Sequence, residues 1–278
     1  MRPITVLANA DRSLGWGHAA RTLAVLAHIP DAEQVTWVTA KPATVRPLVG
    51  RAVRVVEGLR LGREAVRAQE AGAVVYADVP SALALSVGRG LPVLPSAVLM
   101  VDNLVGAAET NPAHVIWPHF GSPPSDVFAH CAHALGGPPR FAAGPSWMPL
   151  RASVYEAAER YAEDDGPRGW WLSYRVRSPG PINAMPLERL RGPRAGFVNP
   201  WGQGYRQLFW AGVLCPAGTL AYEALAIGLP LRLLRTRRPV NDAIAAAMIA
   251  QHPHVGWYEC TRRTDPVSYT HLTLPTIC

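Results

Sequence analysis

The stretch ITVLANADRSLGWGHAARTLAVLA, residues 4–27, decides the fold because a strand meets a helix in it at a glycine-rich loop. Ile4–Ala8 is apolar and β-branched, which predicts a buried strand, and residues 22–27 are rich in helix formers. Gly15 and Gly17 lie between the two, where the absence of a Cβ lets the backbone turn sharply and approach a ligand. Open α/β sheets bind their ligands at such junctions.

The same loop carries groups suited to a reaction centre. The free N–H groups of a helix start form an anion site. His18 adds an imidazole, a side chain that exchanges protons in the physiological range. Arg21 follows three residues later, which places it on the same helix face as His18.

Alternating apolar runs and helix-forming segments predict an α/β protein with mostly parallel sheets. The first half contains six predicted strands, at 4–8, 34–39, 53–57, 74–77, 97–101 and 114–118, and helices at 19–27, 63–71 and 81–87. After a Pro- and Gly-rich segment at 136–149, helices are predicted at 154–162, 205–211, 220–227 and 240–250. Strands are predicted there at 169–174, 196–198, 213–215, 231–234 and 255–258.

This pattern predicts two Rossmann-like, doubly wound parallel-sheet domains, residues 1–148 and 149–264, that face each other across a cleft. Residues 265–278 differ in style from the rest of the chain and resemble the translation of a sequencing-adapter oligonucleotide. We therefore treat 265–278 as a non-native tail and exclude it from the fold prediction.

Composition bounds the class of protein. The formal charge is +7 and the pI about 9.6, but the basic residues are scattered arginines with Lys41 as the only lysine, so we predict no nucleic-acid binding. The four cysteines form no C-x-x-C pair, and we predict neither a signal peptide nor a spanning helix from the apolar runs of the sequence. We expect a cytoplasmic protein, for which peripheral contact with a membrane surface stays open.

A second polar constellation lies at Cys215–Pro230, where a predicted strand runs through a small-residue turn into a helix. Thr219 is the predicted N-cap of that helix, and the helix start could hold a pyrophosphate through its N–H groups. Glu223, one turn further, is placed to accept hydrogen bonds from a ribose diol. A simple cap and a solvated helix charge are the structural alternative.

Together these stretches resemble the GT-B nucleotide-sugar superfamily. Asp11–Arg21 is similar to the G-x-G-H-x-x-R loop of family-28-type glycosyltransferases and of pseudaminic-acid-pathway UDP-sugar hydrolases. Gly218–Pro230, with Asn241 beyond it, is similar to the donor-binding pattern G-[ST]-x-x-x-E-x-x-x-x-G-x-P…[NQ]. Val101–Leu104 and the segment 136–150 also resemble the hydrolase branch.

The resemblance implies a glycosyltransferase that acts on a nucleotide-diphosphate sugar, with an unknown acceptor and without a metal or other cofactor. His18 would be the general base, Gly15 and Gly17 would shape its loop, and Arg21 would contact substrate. The alternatives are a UDP-sugar hydrolase, in which His18 activates water, and a catalytically inactive sugar-nucleotide-binding protein.

In the second half, the resemblance implies that Gly218 and Thr219 face the diphosphate, Glu223 the ribose and Asn241 the sugar hydroxyls. Two segments depart from the family pattern. The segment 170–175 lacks the usual Gly-Gly turn, and RTRRP at 235–239 replaces a short loop that ends in Asp-Asn-Gln.

Two other kinds of site are weighed against this interpretation. An NAD(P) site would need an acidic residue at the end of the second strand, where the sequence instead has VTAK at 38–41. A zinc site at His130 and His133, with His119 upstream, would need a second ligand pair, so a surface helix is favoured there.

Overall fold

The chain forms two parallel β-sheets, which a computed structural model describes through residues 2–9, 17–30, 34–121, 123–163, 169–172, 210–235 and 239–257. The first sheet contains β1 (Ile4–Ala8), β2 (Val35–Thr39), β3 (Arg54–Glu57), β4 (Val74–Ser81), β5 (Ala97–Asn103), β6 (His114–Trp117) and β7 (Phe141–Ala143). The second sheet contains β8 (Gly169–Leu172), β9 (Trp210–Pro216), β10 (Leu231–Leu234) and β11 (Val255–Trp257).

Seven α-helices accompany these strands in the described ranges: α1 (Gly17–Leu26), α2 (Pro42–Val45), α3 (Leu61–Glu70), α4 (Ser125–Ala134), α5 (Ala152–Glu163), α6 (Thr219–Ile227) and α7 (Pro239–Gln251). Short 3₁₀ turns occupy Arg46–Leu48, Ala82–Leu85 and Pro145–Trp147. None of the helices in the described ranges is both long enough and apolar enough to cross a bilayer.

The first sheet has the strand order β3-β2-β1-β4-β5-β6-β7, with every neighbouring pair parallel. The order reverses at β1, which pairs with β2 on one side and β4 on the other. Such a switch point opens a crevice beyond the carboxyl ends of the two strands. The predicted α/β class is therefore confirmed, and the crevice lies where the strand β1 leads toward α1.

Apolar side chains cover both faces of the first sheet, because successive residues of a strand point to opposite sides. Leu7 packs in one core cluster with Ala77 and Leu99, whereas Val6 packs on the other face with Trp37. The second sheet, ordered β11-β10-β9-β8, shares a third cluster with α6 and α7. Parallel strands buried on both faces are typical of α/β proteins.

The chain after β6 links the first sheet to the helices of the second. Phe120 is 7% exposed and belongs to the core of the second sheet, where its ring stacks on Tyr222 at a centroid distance of 5.3 Å. Gly121 has a φ of +76°, and a Cβ there would lie 2.9 Å from Ala247 of α7. Residues of the predicted first domain thus contribute to the second core, and the domain boundary at residue 148 stays a prediction.

Three element predictions were wrong. Residues 81–87 form the end of β4 and a 3₁₀ turn rather than an α-helix, because Ala82 and Leu85 are buried and a tight turn at Gly88 follows. The segment 136–149 is not only a connection, since it contains β7 and a 3₁₀ turn. Residues 210–211 belong to β9 rather than to a helix, and the predicted strand 196–198 lies outside the described residues.

Candidate functional site

His18 lies at the start of α1, above the switch point of the first sheet, and contacts Asp78 of β4. The distance from His18 Nδ1 to Asp78 Oδ1 is 2.6 Å. A carboxylate can only accept a hydrogen bond, so the imidazole donates its Nδ1–H to Asp78 and keeps Nε2 as the atom that can accept a proton. Arg21 Nη2 lies 2.8 Å from the same Nδ1 and donates to Asp78 Oδ1 instead. Asp78 is completely buried and His18 is 6% exposed, so this pair is held in a fixed orientation.

Arg21, one turn after His18, joins two carboxylates. Its Nε donates to Asp78 Oδ2 at 3.0 Å, its Nη2 donates to Asp78 Oδ1, and its Nη1 donates to Asp102 Oδ1 at 2.7 Å. Burial alone would lower the pKa of Arg21, but the charges of Asp102 and Asp78 raise it well above its ordinary value. Arg21 is 2% exposed and its guanidinium joins both carboxylates, and its contact with substrate stays a prediction.

Asp102, near the end of β5, is the most exposed carboxylate of this group, with 37% of its side chain accessible. Its Oδ1 also accepts a hydrogen bond from His119 Nε2 at 3.1 Å, and its Oδ2 lies 3.7 Å from His18 Nε2. Burial would raise the pKa of Asp102, but the charge of Arg21 and the hydrogen bond from His119 hold it well below its usual range. Asp102 is therefore ionised at neutral pH.

The group reaches the second sheet through His119 and Tyr222. The Tyr222 hydroxyl of α6 lies 3.1 Å from His119 Nδ1 and accepts a hydrogen bond from the Phe120 N–H at 3.0 Å. His119 is 3% exposed and Tyr222 is 4% exposed. A continuous set of polar contacts thus runs from α6 through His119, Asp102 and Arg21 to Asp78 and His18.

The start of α6 lies against the start of α1. A Cβ on Gly17 would lie 2.9 Å from Thr219 Oγ1, so a larger residue at position 17 would force a shift at this contact. Thr219 is 6% exposed, and its hydroxyl has no hydrogen-bond partner among the described residues. The predicted cap was wrong, because Gly218 is the N-cap and no side chain caps the helix. Two helix starts therefore converge near a buried, unpaired hydroxyl.

Glu223 and Asn241 lie further along the second sheet's helices. Glu223 is 3% exposed and accepts hydrogen bonds at Oε1 from Arg151 Nε at 3.1 Å and Nη2 at 2.9 Å. Asn241, in the first turn of α7, donates from Nδ2 to the carbonyl of Ala217 at 3.4 Å, next to the start of α6. Gly218, Thr219 and Asn241 are thus gathered at one place, and Glu223 lies one turn along α6.

Other candidates fall elsewhere. Gly15 lies outside the described residues. His130 and His133 lie on the helix α4, away from His119, which instead contacts Asp102 and Tyr222. No group of three or more His, Cys, Asp or Glu side chains is arranged to hold a metal ion in the part of the chain that the structure describes.

Sequence reasoning missed Asp78, Tyr222 and Arg151. Asp78 carried a usable signal, since it is the one charged residue in the apolar run VVYADVP at 74–80. Burial of a charge in a strand is costly unless a partner lies nearby. The contact between Tyr222 and His119 joins residues 103 positions apart and has no local signal in the sequence.

Comparison with known proteins supports the fold. No family model and no curated protein match the sequence. The structure is similar to the crystal structure of LpCGTa in complex with UDP, at a TM-score of 0.50 and 13% identity, over 97% of this chain and 92% of that chain. E. coli heptosyltransferase WaaC with ADP gives a TM-score of 0.31 at 13% identity, over 94% and 91% of the two chains. The likeness to LpCGTa shows that the two chains share a fold.

Proposed function

We propose that this chain is a glycosyltransferase-like enzyme that acts on a nucleotide-diphosphate sugar, with His18 as its general base. One observation carries the proposal: the imidazole that Asp78 orients lies next to the point where the starts of α1 and α6 converge, with Gly17 against Thr219. An anion at the helix starts and a base beside it are the two parts that this chemistry needs.

The diphosphate of the donor would bind at the start of α6. The first N–H groups of a helix have no partner within it, and the helix dipole favours an anion there. The unpaired Thr219 hydroxyl supports the same location, since a buried hydroxyl without a partner is costly and a phosphate oxygen would satisfy it. Gly218 would let the diphosphate approach the backbone, and Asn241 would reach the sugar hydroxyls from α7.

Glu223 would contact the ribose, as the motif implies, from its position one turn along α6. Its carboxylate is held by Arg151, which fixes its orientation before a ribose arrives. We also propose that the two sheets are the cores of two domains, residues 1–148 and 149–264, with the donor in the cleft between them.

The reaction follows from the charges of the site. His18 Nε2 would take the proton of the attacking hydroxyl while its oxygen bonds to the anomeric carbon, and the bond from that carbon to the diphosphate breaks. The electron pair of this bond leaves on the diphosphate, whose charge the helix amides stabilise without a metal. With neutral histidines, Asp78, Asp102 and Arg21 sum to one negative charge, so a proton on His18 would make the group neutral.

Hydrolysis is the second candidate, and one distance favours it. His18 Nε2 and Asp102 Oδ2 are two acceptors 3.7 Å apart. A water molecule can donate one hydrogen to each of them, whereas a single hydroxyl has only one hydrogen to give. Water placed there would attack the sugar in place of an acceptor.

Turnover of nucleotide sugars tests the proposal. Nucleoside diphosphate release is measured for UDP-, TDP-, GDP- and ADP-sugars, with and without candidate acceptors, for the natural chain, His18→Gln and His130→Gln. We expect release that falls by about 10²–10⁴-fold in His18→Gln, the size of general-base catalysis, and is unchanged in His130→Gln, whose histidine is exposed on α4.

Free sugar without an acceptor would identify a hydrolase, and release that depends on an acceptor would identify a transferase. Equal rates for His18→Gln and the natural chain would contradict the role of His18. The absence of release with every donor would contradict the proposed activity.

A further inference from the structure

Asp102 places its Oδ2 3.7 Å from Nε2 of the proposed base His18, and other side chains hold Asp102 in this position. We infer that Tyr222 and His119 are positioning residues that hold Asp102 with its Oδ2 beside His18 Nε2, so that the site is complete only with a residue of α6 in place. The inference rests on the proposed function, because it assigns what Asp102 does for the attacking group.

The first step fixes the proton of His119. The Tyr222 oxygen accepts the Phe120 N–H, and burial raises the pKa of Tyr222, so the phenol keeps its proton at neutral pH. That proton needs an acceptor, and His119 Nδ1 lies 3.1 Å away. A ring nitrogen that accepts cannot carry the proton, so neutral His119 has its hydrogen on Nε2.

The second step fixes Asp102. His119 donates its Nε2–H to Asp102 Oδ1 at 3.1 Å, and Arg21 donates to the same oxygen at 2.7 Å. Asp102 Oδ1 is therefore held by one donor that follows β6 and one donor from α1. Asp102 Oδ2 lies 3.7 Å from His18 Nε2, and the Asp102 side chain is 37% exposed. This distance is too long for a direct hydrogen bond and leaves both acceptors to the attacking group.

The third step connects the two sheets. Tyr222 lies one turn after Thr219 on α6, the helix whose start would hold the diphosphate. If α6 moves away from the first sheet, His119 loses the hydrogen bond at Nδ1 that orients its ring, and the restraint that the ring places on Asp102 is weakened. The orientation of the attacking group would thus depend on the helix that binds the donor.

The tautomers can be observed directly by long-range ¹H–¹⁵N NMR of the full chain labelled with ¹⁵N-histidine. Spectra of His119→Gln and His18→Gln assign the two rings. At pH 7.5 we expect opposite tautomers in one spectrum, Nε2–H for His119 and Nδ1–H for His18. His119 as the Nδ1–H tautomer or as an imidazolium would overturn the inference without any variant.

Tyr222→Phe removes the hydroxyl and keeps the ring that stacks on Phe120. We expect the ¹⁵N signal of the unprotonated Nδ1 of His119 to shift in this variant, because this nitrogen loses its hydrogen-bond donor. The signal should keep its position in the control Phe120→Leu, which removes the stacking partner but keeps the hydroxyl and the backbone N–H. An unchanged Nδ1 signal of His119 in Tyr222→Phe would overturn the inference.

The readout needs no nucleotide, so its outcome is separate from that of the proposed function. The expected tautomers in a chain that turns over no nucleotide sugar would contradict only the proposed function. With a donor that reacts, we expect Tyr222→Phe to lower kcat about tenfold, the size of one neutral hydrogen bond, with KM for the donor within about twofold. An unchanged kcat would also overturn the inference.

Discussion

The substitution Asp78→Asn removes the negative charge at the centre of the polar group. Asp78 is completely buried, and it accepts hydrogen bonds from His18 Nδ1 and from Nε and Nη2 of Arg21. The amide has the shape of the carboxylate but no charge, and its NH₂ group faces donors instead of accepting from them. Arg21, 2% exposed, would keep only Asp102 as a charged partner.

Removal of one partner from a buried ion pair costs about 3–5 kcal/mol. Because Asp102 still contacts Arg21 at 2.7 Å, we expect the lower end, about 3 kcal/mol of the free energy of unfolding. In a chain of this size each kcal/mol lowers Tm by about 2–4 °C, so the expected decrease in Tm is about 6–12 °C.

The assay is thermal unfolding of the full chain, followed by circular dichroism. Glu64→Gln is the matched control, since it makes the same chemical change in the exposed pair of Glu64 and Arg67, whose N–O distance is 3.0 Å. Exposed pairs contribute about 0–1 kcal/mol, so the control should shift Tm by at most about 4 °C. A shift for Asp78→Asn no larger than that of the control would refute the reasoning that Asp78 neutralises a buried Arg21.

Two further predictions concern the same site. Gly17→Ala should lower the free energy of unfolding, measured with urea, by about 1–3 kcal/mol, because the new Cβ would lie 2.9 Å from Thr219 Oγ1. The control Gly50→Ala, whose Cβ would have no atom within 4 Å, should leave it unchanged. Equal effects of the two substitutions would contradict the close approach. The lowered pKa of Asp102 stabilises the fold at pH values above the unfolded-state pKa of about 3.9, and this contribution is lost as pH falls through the lower folded-state pKa. Below about pH 4, the stability of Asp102→Asn should therefore fall less steeply than that of the natural chain in acid unfolding. Parallel curves for the two proteins would contradict this prediction.

The sequence predicted those parts of the fold that have a local cause. Residues 4–8 and 74–77 are apolar over the length of a strand, and this signal is sufficient because buried parallel strands are apolar on both faces. Strand β7 escaped prediction because it has three residues and lies among Gly and Pro, so its pairing with β6 depends on the sheet already being formed.

The candidate site divides in the same way. His18 and Thr219 follow from the glycines and helix starts around them, which are neighbours in the sequence. The partners that fix their environment, Asp78 for His18 and Tyr222 for His119, are brought in by the strand order and by packing between the sheets. Contacts between residues 60 and 103 positions apart leave no periodic pattern, so sequence reasoning on one chain did not find them.

The central claim is that a nucleoside diphosphate binds at the start of α6. The most direct test measures the thermal stabilisation of the natural chain and of Thr219→Val by UDP, TDP, GDP, ADP and NAD(H). Saturation at about 100 times Kd stabilises a fold by about 2.7 kcal/mol, which would raise Tm by about 5–11 °C. We predict this increase for at least one nucleoside diphosphate. In Thr219→Val, which removes a buried hydroxyl without a described partner, we predict unliganded stability no lower than that of the natural chain and about tenfold weaker binding of that diphosphate. No stabilisation by any nucleoside diphosphate, stabilisation by NAD(H) alone, or equal affinity in Thr219→Val would contradict the account.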